Sequence, residues 1–209
     1  MILTKNGNLM KFASGAAVNA HIVDPYNPLG LPPFTIRCKF SSGYTPTMGD
    51  SQTLVDAGEN IWDIYKNSTD WTSLFNNNSN LSEIFGANTS EVTNMTRMFY
   101  GCGNLTSITL FDTHNVYSFA FMFNSIADLN SPKITNIPLF DTSSANDVST
   151  MFGGCKVVQS GALALYQQMS TQANPPLNHG SCFRNCGSNT VTGAAELAQI
   201  PSDWGGTAS

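Results

Sequence analysis

A histidine and a cysteine near the C-terminus are the residues whose types and spacing come closest to a catalytic pair. His179 lies three residues before Cys182. An imidazole beside a thiol can act as the general base for a cysteine nucleophile. No third residue that would orient the imidazole stands out around them. We therefore interpret His179 as a loop residue beside a structural cysteine, and we predict that the protein has no catalytic residues.

Two carboxylates recur at a regular spacing and could in principle hydrolyse a glycosidic bond. Asp112 and Asp141 each stand in the sequence Phe-Asp-Thr, and Asn88 occupies the corresponding place in an earlier Asn-Thr pair. Acid–base catalysis by a carboxylate pair does not tolerate asparagine in place of one member. Both Asp and Asn, in contrast, form turns by accepting a hydrogen bond from the backbone two residues on. We therefore predict that Asn88, Asp112 and Asp141 are turn-forming residues.

The cysteines indicate packing rather than chemistry. The chain has five of them, Cys38, Cys102, Cys155, Cys182 and Cys186. An odd count is not typical of a disulfide framework. Cys182 and Cys186 could share one face of a helix, and whether they pair stays open. No second Cys or His pair stands nearby at metal-ligand spacing, so we predict no metal site, and we find no cofactor motif.

Aromatic residues provide the only signal for ligand binding. Tyr100, Tyr117 and Trp71 lie in or beside one recurring segment, and aromatic faces commonly stack on sugar rings. Core packing is our interpretation for Trp71. For Tyr100 and Tyr117 both interpretations stay open, and we name these two as the candidate binding residues.

These residues belong to an internal repeat. Its clearest marks are Met98-Phe99, Met122-Phe123 and Met151-Phe152, which are 24 and then 29 residues apart. A period in the twenties indicates a small supersecondary unit that is stacked on copies of itself. Gly-Cys closes two of the units. The recurring positions that we assign to structural columns are Phe99, Phe123, Phe152, Cys102 and Cys155, together with Asn88, Asp112 and Asp141.

Each unit is expected to contain a strand, a turn and a short helix. Leu105-x-x-Ile108-x-Leu110 has the spacing of a short strand with apolar residues on one face. The Asp-Thr turn follows. Val92, Met95 and Met98-Phe99 then follow helical spacing, with apolar residues at i, i+3, i+6 and i+7.

We divide the chain into four parts. Residues 1–33 are predicted to be a docking or oligomerisation arm that begins with a hairpin around Asn6-Gly7, with a flexible linker as the alternative. Residues 34–70 are predicted to be a β-rich N-terminal cap. In this cap, residues 34–40 and 53–55 are predicted to form a β-hairpin onto which residues 60–66 pack. Residues 71–159 carry the repeats, with an additional loop at residues 129–133. Residues 160–209 form a capping unit that includes a helix over residues 161–172.

Composition restricts the class of partner. Charged residues make up 11% of the 209 residues. The chain has 9 Lys and Arg residues and 14 Asp and Glu residues, which gives a net charge of -5. We find no basic cluster that would bind nucleic acid, and no apolar stretch long enough for membrane insertion. Residues 1–20 lack the continuous apolar region of a signal peptide, so we expect that the chain does not use the usual secretory route. A polar, weakly charged surface suits a glycan or another protein.

The sequence VTNMTRMFYGCGNLTSITLFDT resembles the repeat of the BspA-like leucine-rich surface proteins. Units of that family read F-D-T-S-x-V-T-x-M-x-x-M-F-x-G-C-x-x-L. The likeness covers residues 71–158, with a fainter copy at residues 182–188. It implies an α+β repeat fold, a short right-handed leucine-rich-repeat solenoid of strand–turn–short helix units, here with a β-hairpin N-terminal cap and a helical C-terminal cap. It also implies surface recognition or adhesion without enzymatic activity.

The whole chain is more distantly similar to head- and tail-fibre proteins of bacteriophages. This similarity implies a homo-oligomer on the surface of a virion that contacts other virion proteins through the arm and a host glycan or protein through the repeats. Virion proteins are released by lysis and need no export signal. The alternative is a bacterial cell-surface adhesin of the BspA-like type. A glycan-cleaving enzyme and a cytoplasmic scaffold are the further alternatives.

Overall fold

The computed structural model describes residues 4–5, 8–9, 24–46, 52–125 and 132–208. Its strands are β1 (Thr4–Lys5), β2 (Asn8–Leu9), β3 (Thr35–Phe40), β4 (Gln52–Gly58), β5 (Ile61–Lys66), β6 (Leu81–Asn88) and β7 (Ser107–Ile108). Its helices are α1 (Ala162–Thr171) and α2 (Val191–Leu197), and a 3₁₀ turn spans Ser202–Trp204. None of these helices is long and apolar enough to cross a membrane.

The main regular element is a mixed, open sheet of five strands in the order β4-β5-β3-β6-β7. β3 lies between β5 and β6 and is antiparallel to both, whereas β6 and β7 are parallel. One face of β3 is buried through Ile36, Cys38 and Phe40. This alternation is what a sheet with one covered face requires.

The predicted hairpin between residues 34–40 and 53–55 is wrong. β4 pairs with β5, and β5 in turn separates β4 from β3. The turn between β4 and β5 is made by Glu59 and Asn60, which both have positive φ, 53° and 63°. A two-residue turn with positive φ at both positions matches the twist of antiparallel strands and closes the local hairpin. The two strands predicted on either side of residues 6–7, in contrast, are present as the antiparallel β1–β2 pair, while the predicted turn itself lies outside the described residues.

The predicted fold class is also wrong. The protein is not a leucine-rich-repeat solenoid of strand–turn–short helix units. The regular structure of the described residues is mainly the mixed sheet, and the two short helices found there both follow residue 160. Among the described residues of the repeats, 71–125 and 132–159, only β6 and β7 are strands. The helix predicted over residues 161–172 is confirmed as α1.

The backbone of the repeats explains why helical spacing was misleading. The N–H groups of Met95, Arg97 and Phe99 donate to carbonyls of the following repeat, each at 2.9 Å, while Met98 and Tyr100 donate to carbonyls three residues back. An α-helix would direct every N–H to the carbonyl four residues back. A ribbon of short turns buries residues at nearly the same spacing as an α-helix does. The spacing of apolar residues therefore could not distinguish a helix from such a ribbon.

We call the resulting stack of turns the repeat ladder. Its rungs are residues 70–78, 94–102, 118–125, 147–155 and 178–186. Parallel bridges join Asp70 to Asn94, Asn94 to Ser118, Ser118 to Asp147 and Asp147 to Asn178. These bridges place corresponding residues of successive repeats next to one another.

A column of phenylalanines forms the centre of the ladder. The rings of Phe75, Phe99, Phe123, Phe152 and Phe183 stack with centroids 5.4, 5.2, 5.1 and 6.1 Å apart. At the sheet side, Phe40 packs against Phe75. At the far side, the N–H of Phe183 donates to the carbonyl of Trp204 at 2.9 Å, which covers the last rung.

Part of the predicted arm packs onto the sheet. Leu31 is buried, and its carbonyl accepts a 2.9 Å hydrogen bond from the Asn88 amide. Most of residues 1–33 lie outside the described residues, as does most of the loop predicted at residues 129–133. The four-part division of the chain remains a prediction.

Candidate recognition site on the repeat ladder

The structure does not bring His179 and Cys182 into a nucleophile–base arrangement. The His179 ring stacks on Trp204 with centroids 4.2 Å apart, and its Nδ1 lies 3.1 Å from the Pro176 carbonyl. Its Nε2 lies 3.4 Å from an Asp203 carboxylate oxygen. Cys182 is fully buried, with a pKa raised well above its ordinary value by loss of solvent. A buried thiol of this kind is unreactive.

Asp112 and Asp141 each cap a turn, whereas Asn88, which was also predicted to form a turn, is the last residue of strand β6. Asp112 Oδ1 accepts from the His114 N–H at 3.1 Å, and Asp141 Oδ1 accepts from the Ser143 N–H at 2.9 Å. Asn88 uses its amide instead to bond Leu31 and its Oδ1 to accept from Ser90. Each carboxylate is thus hydrogen-bonded within its own turn. No group of three or more potential metal ligands occurs within the described ranges.

The cysteines of the Gly-Cys pairs lie in the core and connect neighbouring rungs. Cys102 Sγ donates to the Phe75 carbonyl at 3.1 Å, and Cys155 Sγ donates to the Phe123 carbonyl at 3.3 Å. Burial raises the pKa of the Cys102 thiol from its ordinary value of 9.0 to about 12, and it raises the pKa of Cys155 as well. All five cysteines are free and buried. Their neutral thiols therefore serve as packing groups and weak donors.

Tyr100 belongs to a cluster on the outer face of the ladder. The Arg97 guanidinium carbon lies 5.9 Å from the Tyr100 ring centroid and 5.3 Å from the Phe121 ring centroid. Arg97 is exposed, and the two rings are partly buried. Within the described residues Arg97 makes no ion pair. We call these three residues the arginine–aromatic cluster.

The ladder backbone creates this cluster. Arg97 and Phe121 occupy the same place in successive rungs, and both have left-handed backbone, with φ of 54° and 57°. The Arg97 N–H donates to Ala120, the residue directly before Phe121, at 2.9 Å. This hydrogen bond fixes the register in which the Arg97 side chain reaches the ring of the next rung. Two aromatic rings thereby hold the guanidinium in place through cation–π contacts.

Tyr117 lies elsewhere on the ladder. Its N–H donates to the Thr93 carbonyl at 2.8 Å, so it stands level with Thr93 at the start of the second rung, whereas Tyr100 is near the end of that rung. The Tyr117 side chain is 49% exposed. The two candidate binding residues therefore do not form one site. Trp71 is fully buried and donates from Nε1 to the Lys66 carbonyl at 3.3 Å.

Sequence analysis missed Arg97 and Phe121. The available signal was their equal offset within the repeat, since each comes one residue before a Met of a Met-Phe pair. Aligned in this way, the column reads Ser73, Arg97, Phe121, Thr150 and Ser181, and two of its members are a cation and an aromatic side by side. Reading that pair as a contact required knowing that adjacent rungs are in parallel register.

Comparison with known proteins agrees with the extent of the ladder. The model of a family described as "Mycoplasma protein of unknown function, DUF285" matches residues 69–183, from the residue before the first rung to Phe183 in the last. The match covers more than half of the chain. The chain belongs to the DUF285 family. No curated protein and no solved structure matches it. The DUF285 region contains the whole arginine–aromatic cluster and all of the phenylalanine column.

Proposed function

We propose that the protein is a non-enzymatic recognition protein that presents the outer face of its repeat ladder to a glycan or protein on another surface. The observation that supports this proposal is the arginine–aromatic cluster, an exposed cation held between two rings. Arg and Tyr are enriched among the few residues that dominate binding energy at interfaces. A guanidinium also offers a rigid fork of donors to carboxylate, phosphate or backbone oxygen acceptors.

Membership of the DUF285 family supports a more specific assignment. We propose that the protein functions as the BspA-like surface-repeat proteins do, in adhesion or surface recognition. We further propose that a phage virion carries it as a head or tail fibre or a decoration protein, as a homo-oligomer attached through residues 1–33 to other virion proteins. The second candidate is a bacterial cell-surface adhesin, which the word Mycoplasma in the family description favours.

A binding assay with a matched pair of arginine variants tests the recognition role. Fluorescently labelled protein is titrated onto candidate host cells, and bound fluorescence is measured for the wild type, Arg97→Ala and Arg184→Ala. Both arginines are exposed and without an ion pair among the described residues, but only Arg97 contacts aromatic rings. We expect Arg97→Ala to weaken binding about tenfold or more and Arg184→Ala to change it little. Equal binding by wild type and Arg97→Ala would contradict the assigned surface.

Immunogold electron microscopy separates the two carriers. Antibody to the chain is applied to a lysate that contains both phage particles and host cells. Gold on the particles is expected for a virion protein, and its position distinguishes head from tail. Gold on the cell envelope with unlabelled particles would refute the virion proposal and support the bacterial adhesin.

A further inference from the structure

The first rung of the repeat ladder has a row of backbone carbonyls that accept no hydrogen bond from the described residues. In the second rung, the carbonyls of Asn94, Thr96 and Met98 accept hydrogen bonds from the first rung at 2.9 Å each. The equivalent carbonyls of the first rung have no such donor, because no described rung precedes the first one. They belong to Asp70, Thr72, Leu74 and Asn76, and no donor in the described parts of the chain reaches them.

Other edges of the repeats are covered. On the sheet side of the first repeat, β3 pairs along β6 from Thr35 to Phe40. At the last rung, Phe183 donates to Trp204, and Gly205 lies so close that a Cβ on it would stand 2.6 Å from the Arg184 nitrogen. The carbonyl row of the first rung is therefore a distinct feature of the fold. Backbone acceptors of this kind are normally paired with protein or water.

A cavity of about 290 Å³ lies at this open end. It is lined by Tyr44 and by the continuous segment Ser73, Leu74, Phe75, Asn76, Asn77, Asn78, Ser79 and Asn80. No residue of the lining is charged. A charged ligand would therefore lose hydration in the cavity without gaining an ion pair there. Its volume is at the small end of small-molecule sites and suits one sugar ring better than a strand of another protein.

The polar groups of the cavity match a ligand that both donates and accepts hydrogen bonds. The carboxamides of Asn76, Asn77 and Asn80 make no hydrogen bond with the described residues and offer donors as well as acceptors. The carbonyls of Leu74 and Asn76 add acceptors. Hydroxyl groups of a sugar can satisfy both kinds of group, whereas a ligand with acceptors alone would leave the carbonyls unpaired.

Tyr44 gives the cavity an aromatic wall with a fixed position. Its ring packs on Phe40 with centroids 5.4 Å apart, and Phe40 in turn packs on Phe75 of the first rung. Its hydroxyl accepts a hydrogen bond from Asn78 Nδ2 at 3.4 Å. An anchored aromatic ring beside amides and carbonyls presents both an apolar surface and directed polar groups to a ligand.

We infer that the open end of the repeat ladder is a binding site for a neutral sugar, which contacts Tyr44 and hydrogen-bonds the Leu74 and Asn76 carbonyls and the asparagine amides. This site is separate from the arginine–aromatic cluster. The inference rests on the proposed recognition function and specifies one ligand class for it.

The test is a two-dimensional ¹H–¹⁵N NMR titration of the full chain with four separate probes, galactose, glucose, mannose and N-acetylglucosamine. We expect at least one of them to shift the resonances of Tyr44 and of residues 73–80 with a saturable dependence on concentration. The variant Asn76→Ala/Asn77→Gly should weaken that binding by a factor on the order of ten, since two amide hydrogen bonds are removed.

The control variant is Asn185→Gly. Asn185 and Asn77 occupy corresponding places in the last and first rungs, both are exposed, and both have φ of 58°, which glycine adopts without strain. Asn185→Gly should bind the sugar as the wild type does. Equal weakening by both variants would overturn the proposal, because the effect would then be general to the ladder.

Two further results would also overturn it. One is the absence of saturable shifts at residues 73–80 with all four sugars. The other is a set of shifts there that depends on protein concentration and not on sugar, which would identify a second copy of the chain as the occupant. The Arg97→Ala cell-binding assay reports on the recognition function separately, so a failure of the sugar site and a failure of the recognition function can be told apart.

Discussion

At the scale of single residues, buried threonines connect one repeat to the next. Thr89 Oγ1 donates to the Asp112 carbonyl, and Thr113 Oγ1 donates to the Asp141 carbonyl at 2.8 Å. In the same column, Thr142 Oγ1 donates to Gln172 Oε1 at 3.1 Å. All three threonines are at most 1% exposed. Each hydroxyl therefore satisfies an acceptor that water reaches poorly.

The substitution Thr113→Val should destabilise the protein by about 1–3 kcal/mol. Valine keeps the shape of threonine but leaves the Asp141 carbonyl without its donor in the core. The measurement is the free energy of unfolding from urea titration. Thr93→Val serves as the control, because Thr93 is partly exposed and makes a longer 3.3 Å bond to the Thr69 carbonyl. It should change stability by less than about 0.5 kcal/mol, and equal losses would show that Thr113 has no special role.

At the scale of the rung, the ladder imposes left-handed backbone at two columns. One has it in four of the five rungs, at Asn77, Gly101, Gly154 and Asn185, the residue types that adopt this conformation most readily. The other holds Ser73, Arg97, Phe121, Thr150 and Ser181, which adopt it at a cost. The second column is strained by the fold itself, since it recurs in every rung. Thr150 is the least suited of these residues, because it is β-branched and has φ of 55°.

Thr150→Gly should therefore stabilise the protein by about 0.5–1 kcal/mol. Relief of left-handed strain, about 1–2 kcal/mol, exceeds the additional chain entropy of glycine, about 0.5–1 kcal/mol. Differential scanning calorimetry of the variant should show a higher Tm. Gly154→Ala is the counterpart, since a Cβ there would lie 2.4 Å from the Ser125 carbonyl at φ of 79°, and its Tm should fall. A lower Tm for Thr150→Gly would mean that the threonine side chain contributes more than the strain costs.

At the scale of the whole molecule, five buried thiols make the free energy of unfolding depend on pH in the alkaline range. They extend from Cys38 in the sheet to Cys186 in the last rung, and burial raises the pKa of every one. Their neutral forms are favoured in the folded protein, whereas the unfolded chain ionises them near their ordinary pKa. The contribution of the neutral thiols to the free energy of unfolding is therefore fully present below the ordinary thiol pKa. It is lost as the pH rises above that pKa.

For Cys102 the relevant interval runs from pH 9.0 to about 12. Within it the free energy of unfolding should fall by about 1.4 kcal/mol per pH unit for this thiol alone. The measurement is urea unfolding at several pH values under reducing conditions. Cys102→Ala should be less stable than the wild type at pH 7, because it leaves a cavity. Between pH 9 and 11, however, its free energy of unfolding should fall less steeply than that of the wild type, by about 1.4 kcal/mol per pH unit. Parallel pH profiles for the two proteins would contradict the assignment.

The sequence by itself determined which residues correspond between repeats. The Met-Phe and Gly-Cys pairs place Phe99, Phe123 and Phe152 in one register, and these rings do stack in the structure. Helix α1 could also be predicted, because Ala162, Leu165 and Met169, its buried residues, follow helical spacing. Such features depend on the order of residue types along the chain, which is fully present in the sequence.

The tertiary structure alone decided the fold class, the arginine–aromatic cluster and the open end of the ladder. Burial of Met95, Met98 and Phe99 fits a helix and a ribbon of turns equally well, and the choice depends on whether the N–H groups bond within a repeat or to the next one. The position of β5 between β3 and β4 was equally hidden, because strand order depends on contacts between distant segments. The contact of Arg97 with Phe121, and the lack of a donor to the Leu74 carbonyl among the described residues, were hidden for the same reason. Hydrogen bonds between neighbouring rungs set those positions, and local sequence patterns do not specify such long-range pairing.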